Sequence, residues 1–266
     1  MSKDFLKRYE SGDYGVWNEI LSQAGAVVAD EELYAEAKSV ATAIMGRVKT
    51  NANTVRKTLL KAGMSLAPTQ SGPLSDAGLS FLTNRFGPLP LSLDVFYKTI
   101  GAISLTADDY DYGDNELEAK DNIDMLTLDP LIVEPATIFE WAVDEYDEQF
   151  AEDDEENNPF ALFICADFLH KADISGGEPH TVYIPASTPE NQLDPFVNTD
   201  EGAMPFIEYL RHYFKWGGFS GLAVMEVLDD DEIDLNLKMP FEQVNGDWRA
   251  AAQRLLETLR AGLIDF

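Results

Sequence analysis

The 266-residue sequence predicts an α+β protein, and three observations carry that expectation. Apolar residues recur at helical spacing in several stretches, most plainly after Asp30. Short runs such as FALFIC (160–165) and HTVYIP (180–185) have the length of strands, and the second alternates as a half-buried strand does. The two kinds of element interleave without the regular strand–helix–strand order of a doubly wound fold. The expected layout is a mixed β-sheet flanked by helices, with a helical N-terminal segment over 1–67 and an α+β domain over 68–266.

Asp30 is placed to cap a helix, and Glu31 and Glu32 complement the positive end of its dipole. Leu33, Ala37, Val40, Ala41, Ile44 and Val48 follow on one stripe. A second helix is expected from Asn53 through Val55, Leu59 and Leu60, closing at Gly63. Arg47, Lys49, Arg56, Lys57 and Lys61 cluster on this pair. Their simplest role is to face solvent or the acidic remainder of the same chain.

PTQSGP (68–73) reads as a linker. After it Leu74, Ser75 and Asp76 open a helix through Leu79, Phe81 and Leu82 that ends before Gly87. Pro88 and Pro90 hold the chain extended. Ser92 then caps a helix carrying Leu93, Phe96, Tyr97 and Ile100, and Gly101 ends it before the strand AISL. LDPLIVEP reads as a short buried strand and 136–150 as an acidic helix with Ile138, Trp141, Ala142 and Phe150 inward. Residues 151–159 read as a solvated loop. FALFIC is apolar enough for a central strand, and Gly176-Gly177 suits the reversal that leads to HTVYIP. FIEYLRHYF (206–214) is a helix closed by Gly217-Gly218, GLAVMEVL a strand, and the stretch from Asp247 through Trp248, Leu255, Leu256 and Leu259 a final helix ending near Gly262.

SDAGLSFLTNRFG, then Leu89-Pro90, then LSLDVFYKTIG and AISL (75–105) resemble the SUKH superfamily, with its helix, Leu-Pro break, second helix and turn into the sheet. The chain departs from the family's Asn-Gly-Gly at Ile100-Gly101-Ala102. The resemblance implies a mixed sheet flanked by helices and a non-enzymatic binding role, often that of an acidic immunity protein neutralising a basic toxin of bacterial type. It transfers no catalytic residue.

Charge points to the same class from other residues. Residues 1–66 carry 9 Lys+Arg and 8 Asp+Glu, residues 67–266 carry 10 and 40, and the net charge is −29. Such a surface repels nucleic acid and anionic membranes and attracts basic proteins. A basic protein is therefore the expected partner, with no nucleic acid, no membrane and no cofactor, and with self-association through the N-terminal helices as a further possibility. The partner surface is expected on acidic loops: Asp108, Asp109, Asp111 and Asp114; Glu145, Asp147, Glu148, Asp153 and Asp154; Asp229, Asp230, Asp231 and Glu232. The 108–118 run inverts the order of glycine and ligand that a calcium loop needs and 228–234 lacks the turn glycine, so a solvated turn is the simpler reading of each, with calcium left open only through ligands from separate loops.

The single cysteine, Cys165, allows no internal disulfide, and neither a secretory leader nor a bilayer-spanning run is present, so the cytoplasm is the expected compartment. No Cys-x-x-Cys, His-Glu-x-x-His or phosphate-loop pattern occurs, and no catalytic set is expected. The alternative is a metal-dependent or Cys/His enzyme built on the 165–180 segment, where Asp167, His170, Lys171, Asp173 and His180 lie close to Cys165. Cysteine at the end of an apolar strand is more often a small buried hydrophobe than a nucleophile.

Overall fold

Asp30 starts the longest element of the chain: its Oδ1 accepts from the amides of Glu32 at 2.9 Å and Leu33 at 3.0 Å. The computed structural model describes residues 4–68, 72–108, 115–150, 159–167, 171, 177–199, 202–226, 241, 244 and 247–266. Helices Phe5–Glu10 (α1), Val16–Leu21 (α2) and Ala24–Ala29 (α3) precede the 31-residue helix Glu31–Lys61 (α4). Two helices were expected where α4 is continuous. Nothing between Val48 and Asn53 breaks a helix, and Asn51 is buried with both ends of its amide engaged. Its Nδ2 donates to the Ile264 carbonyl at 2.8 Å and its Oδ1 accepts from the Ile264 amide at 2.9 Å. At 1.5 Å per residue α4 is about 46 Å long. Gly63, with φ +92°, ends it as expected.

Phe5, Tyr9, Val16, Trp17, Ile20 and Val27 of α1–α3 are fully buried, and α1, α2 and α3 all pack on α4. The helices put forward for self-association thus turn their apolar side chains into their own chain. Of the linker 68–73, residues 69–71 lie outside the described residues. A 3₁₀ turn at Ala77–Leu79 leads into Ser80–Phe86 (α5), which stops at Gly87, φ +82°. Leu91–Thr99 (α6) packs against α4. Ser92 is not its cap: Pro90 holds that position, and Ser92 points into the protein.

Strand Ile103–Ser104 (β1) pairs antiparallel with Ile132–Val133 (β2). Between them lies Glu116–Asp121 (α7), capped by Asn115, whose Oδ1 accepts from the amides of Leu117 and Glu118. Glu140–Phe150 (α8) follows a 3₁₀ turn at Ala136–Phe139, within the predicted span. The inward placement of Ile138, Trp141 and Phe150 concerns side chains outside the description, as does the loop at 151–158.

Phe160–Cys165 (β3), His180–Ile184 (β4), Phe196–Thr199 (β5) and Gly202–Pro205 (β6) form a sheet in that order. The α+β class stands. Every pairing among the described strands is antiparallel, where a mixed sheet was expected. Among the described strands β3 lies at the end of the order, where a central place was expected; beyond it the Glu134 amide donates to the Ile164 carbonyl at 2.8 Å. Phe160, Leu162, Ile164, Val182, Ile184 and Val197 form the buried face of the sheet. The β5–β6 hairpin and the short helix Pro189–Leu193 (α9) have no counterpart in the sequence reading.

Phe206–Lys215 (α10) and Trp248–Arg260 (α11) match the expected helices, the latter capped by Asp247. Residues 220–226 form a 3₁₀ segment where a strand was expected. Gly217 and Gly218, at φ +67° and +90°, turn the chain, and Gly221 then lies so close to the Leu128 backbone that a Cβ there would sit 2.9 Å from it. Phe219 makes an isolated antiparallel β-bridge to Pro130. One hydrophobic cluster runs from Phe5 through α4 and the sheet to Leu259.

Candidate functional site

The segment 165–180 converges on a buried polar cluster. β3 ends at Cys165 and β4 begins at His180, and the two are paired across the sheet after a bulge. Lys171, between them in sequence, sends a fully buried side chain inward: Nζ lies 2.6 Å from Asp129 Oδ1 and 3.0 Å from the Tyr213 hydroxyl. Tyr213 donates to Asp129 Oδ2 at 2.8 Å, and Ser220 Oγ donates to the same oxygen. Asp129 adopts φ +52°, a conformation that aspartate tolerates better than most residues. One helical turn before Tyr213, Tyr209 meets His180, whose Nδ1 is 3.1 Å from the Tyr209 hydroxyl.

Burial alone would strip the charge from both partners of the central pair. It does not, because each stabilises the other. Burial works against the Lys171 ammonium, but Asp129 holds its pKa above the usual lysine range; burial works against the Asp129 carboxylate, but Lys171, Ser220 and Tyr213 hold it below the usual value. His180 goes the other way. Burial, then the Lys171 charge, push it down to about 4, so the imidazole is neutral at pH 7. Burial also raises the Cys165 thiol, and its Sγ donates to the Ala166 carbonyl at 2.9 Å.

Chemically this is a buried ion pair whose described hydrogen bonds are made. A nucleophilic cysteine needs a low pKa and access, and Cys165 has neither. Asp167 is buried against Gly177, where φ is +79° and a Cβ would collide with the carboxylate. Cys165, Asp167, Lys171 and His180 thus come into one neighbourhood, whereas His170 and Asp173 lie outside the described residues. Among the described residues no group of three or more His, Cys, Asp or Glu is placed to hold a metal ion.

Of the acidic positions, Asp108 is exposed at the end of the β-bridge between Leu66 and Ala107, and Glu148 is exposed on α8. Asp147 pairs with Arg85 Nε at 2.5 Å. Glu118, from the same acidic run, is turned inward to hydrogen-bond Asn115 Nδ2 and the Met125 amide. Asp109, Asp111, Asp114, Asp153, Asp154, Asp229, Asp230, Asp231 and Glu232 lie outside the described residues, as does the Glu145 side chain.

The cations of α4 take a role the sequence reading did not assign, since three of them hold backbone carbonyls. Arg47 donates to Asp265 O at 2.9 Å, Lys49 to Thr99 O at 2.8 Å, and Arg56 to Ser104 O at 2.9 Å and Ala67 O at 2.8 Å.

A second buried acid also escaped the sequence reading. Asp194 accepts from Trp17 Nε1 at 2.9 Å and from Ser92 Oγ at 2.6 Å. A signal for both hidden acids was present: Asp129 and Asp194 each sit in a Leu-Asp-Pro triplet, 128–130 and 193–195.

No protein-family model matches the chain, and no curated protein or solved structure is similar to it at a significant level. No described helix is long and apolar enough to cross a membrane.

Proposed function

We propose that the protein is a non-enzymatic binding protein whose acidic surface takes a basic protein partner. Toxin neutralisation in the cytoplasm is the role suggested by its SUKH-like segment. The observation that carries the reading is how the cations are used. Residues 67–266 hold 10 Lys+Arg against 40 Asp+Glu. Arg85, Lys98, Lys171, Arg211, Lys215 and Arg254 are already paired with carboxylates of the same chain. Too few cations exist to compensate the remaining acids, and a basic partner would do so.

The closed state of the Lys171 cluster supports the same reading over an enzyme built on 165–180, because a reaction needs a substrate to reach its acid, base or nucleophile. The test is the rate of association with an inactivated basic nuclease toxin, measured across ionic strength. Steering by charge makes the on-rate fall steeply as salt rises. An on-rate that is the same at low and high salt overturns the proposal.

A further inference from the structure

The cation cluster on α4 has no part in taking a basic partner. Two of its members, Lys49 and Arg56, stand two turns apart on one face of the helix and line a half-open cleft of about 260 Å³ against the segment 100–105. Ala52, Ile100, Ile103 and Leu105 supply apolar wall, and Asn53 lies between the cations. Among the described residues no carboxylate lines the cleft.

The two cations are held without being neutralised. Arg56 is fixed by two carbonyls and Lys49 by one, each a neutral acceptor. Desolvation lowers the Arg56 pKa with no acidic neighbour to offset it. A guanidinium partly stripped of water and lacking a counter-ion still has N–H groups to give, and an anion is the ligand that satisfies both its charge and its geometry.

We propose that this cleft binds a small organic anion, its charged head on Arg56 within the field of Lys49 and a short apolar body against Ile100 and Ile103. The volume, a little under the usual range for small-molecule sites, suits a small ligand. This site is independent of the partner surface proposed above.

The test is calorimetry of the full chain with three probes: octanoate, which has head and body; inorganic phosphate, which has only the head; and 1-octanol, which has only the body. Octanoate is expected to bind saturably at one site, and phosphate and octanol about tenfold or more weaker, the value of one lost charge-assisted contact. Lys49→Gln, at an exposed helical position, leaves the fold intact and weakens octanoate by about tenfold on the same basis. Ala52→Phe fills the cleft and abolishes binding, with circular dichroism reporting that the helix content is kept. No saturable octanoate binding overturns the proposal. So does octanol or phosphate binding as tightly as octanoate, or undiminished octanoate affinity in both variants.

Discussion

The Trp17 indole donates to Asp194 Oδ2 at 2.9 Å, joining residues 177 positions apart in sequence. The other carboxylate oxygen accepts Ser92 from the start of α6, and the Ile207 amide at the start of α10 approaches both oxygens at 3.3 and 3.4 Å. One side chain thus ties the N-terminal helices to two further helices. Trp17→Phe removes the indole N–H and with it the volume of the five-membered ring. It is expected to cost at least about 1–3 kcal/mol, the penalty for a buried polar group that loses its partner, with the small cavity adding to it. Urea unfolding reads this directly, and an unchanged midpoint would sink the claim.

Burial pushes the Asp194 carboxyl up to about 7 from an ordinary 3.8, against the bonds from Ser92, Trp17 and Ile207 and the charge of Arg211. A folded pKa above the unfolded one means that the contribution is complete below 3.8 and is lost as pH rises through 7. His180 has the opposite sign: depressed from 6.5 to about 4, it contributes stability above 6.5 that is lost as pH falls through 4. Comparison with Asp194→Asn separates the two. The stability of wild type relative to that variant should fall between pH 4 and 7 and then level off; a gap that is flat with pH contradicts the assignment.

Lys171 and Asp129 stabilise each other's charge in a buried site. Lys171→Met leaves the carboxylate unpaired and is expected to cost about 3–5 kcal/mol. Adding Asp129→Asn, which tolerates the same positive φ, should recover part of that loss. A double-mutant cycle in urea measures the coupling, and strictly additive losses would refute it.

The Cys165 thiol is buried and its pKa is raised. Alkylation by iodoacetamide should therefore proceed no faster than global opening, and rise at once in denaturant. Rapid labelling of the native protein would favour the enzymatic alternative.

The helical half of the fold was readable because its signals are local. Asp30 and Asp247 cap the helices they precede, and Gly63, Gly87 and Gly101 adopt the positive φ that ends one. What was misread depends on contacts distant in sequence. The continuity of α4 carries Asn51 to Ile264, which supplies both its hydrogen bonds, and β3 reads as central although it ends the order of the described strands. The apolar run after Gly221 suits strand or turn equally, and the Leu128 backbone decides between them. Of the candidate site, Lys171 and His180 were found by proximity in sequence. Their partners Asp129, Tyr209 and Tyr213 come from elements whose approach no spacing rule encodes.

The knot at Asp194 also sets an order of assembly. A nascent chain displays Trp17 and Ser92 long before the ribosome has added the acid that receives both, and the Ile207 amide arrives later still. Closing so long a loop carries an entropic cost that only the late contacts repay. Until then the aromatic faces of the first helices lack their final anchor. The growing polypeptide therefore passes through most of its synthesis with sticky surface on show, the interval in which a chaperone has the most to shield.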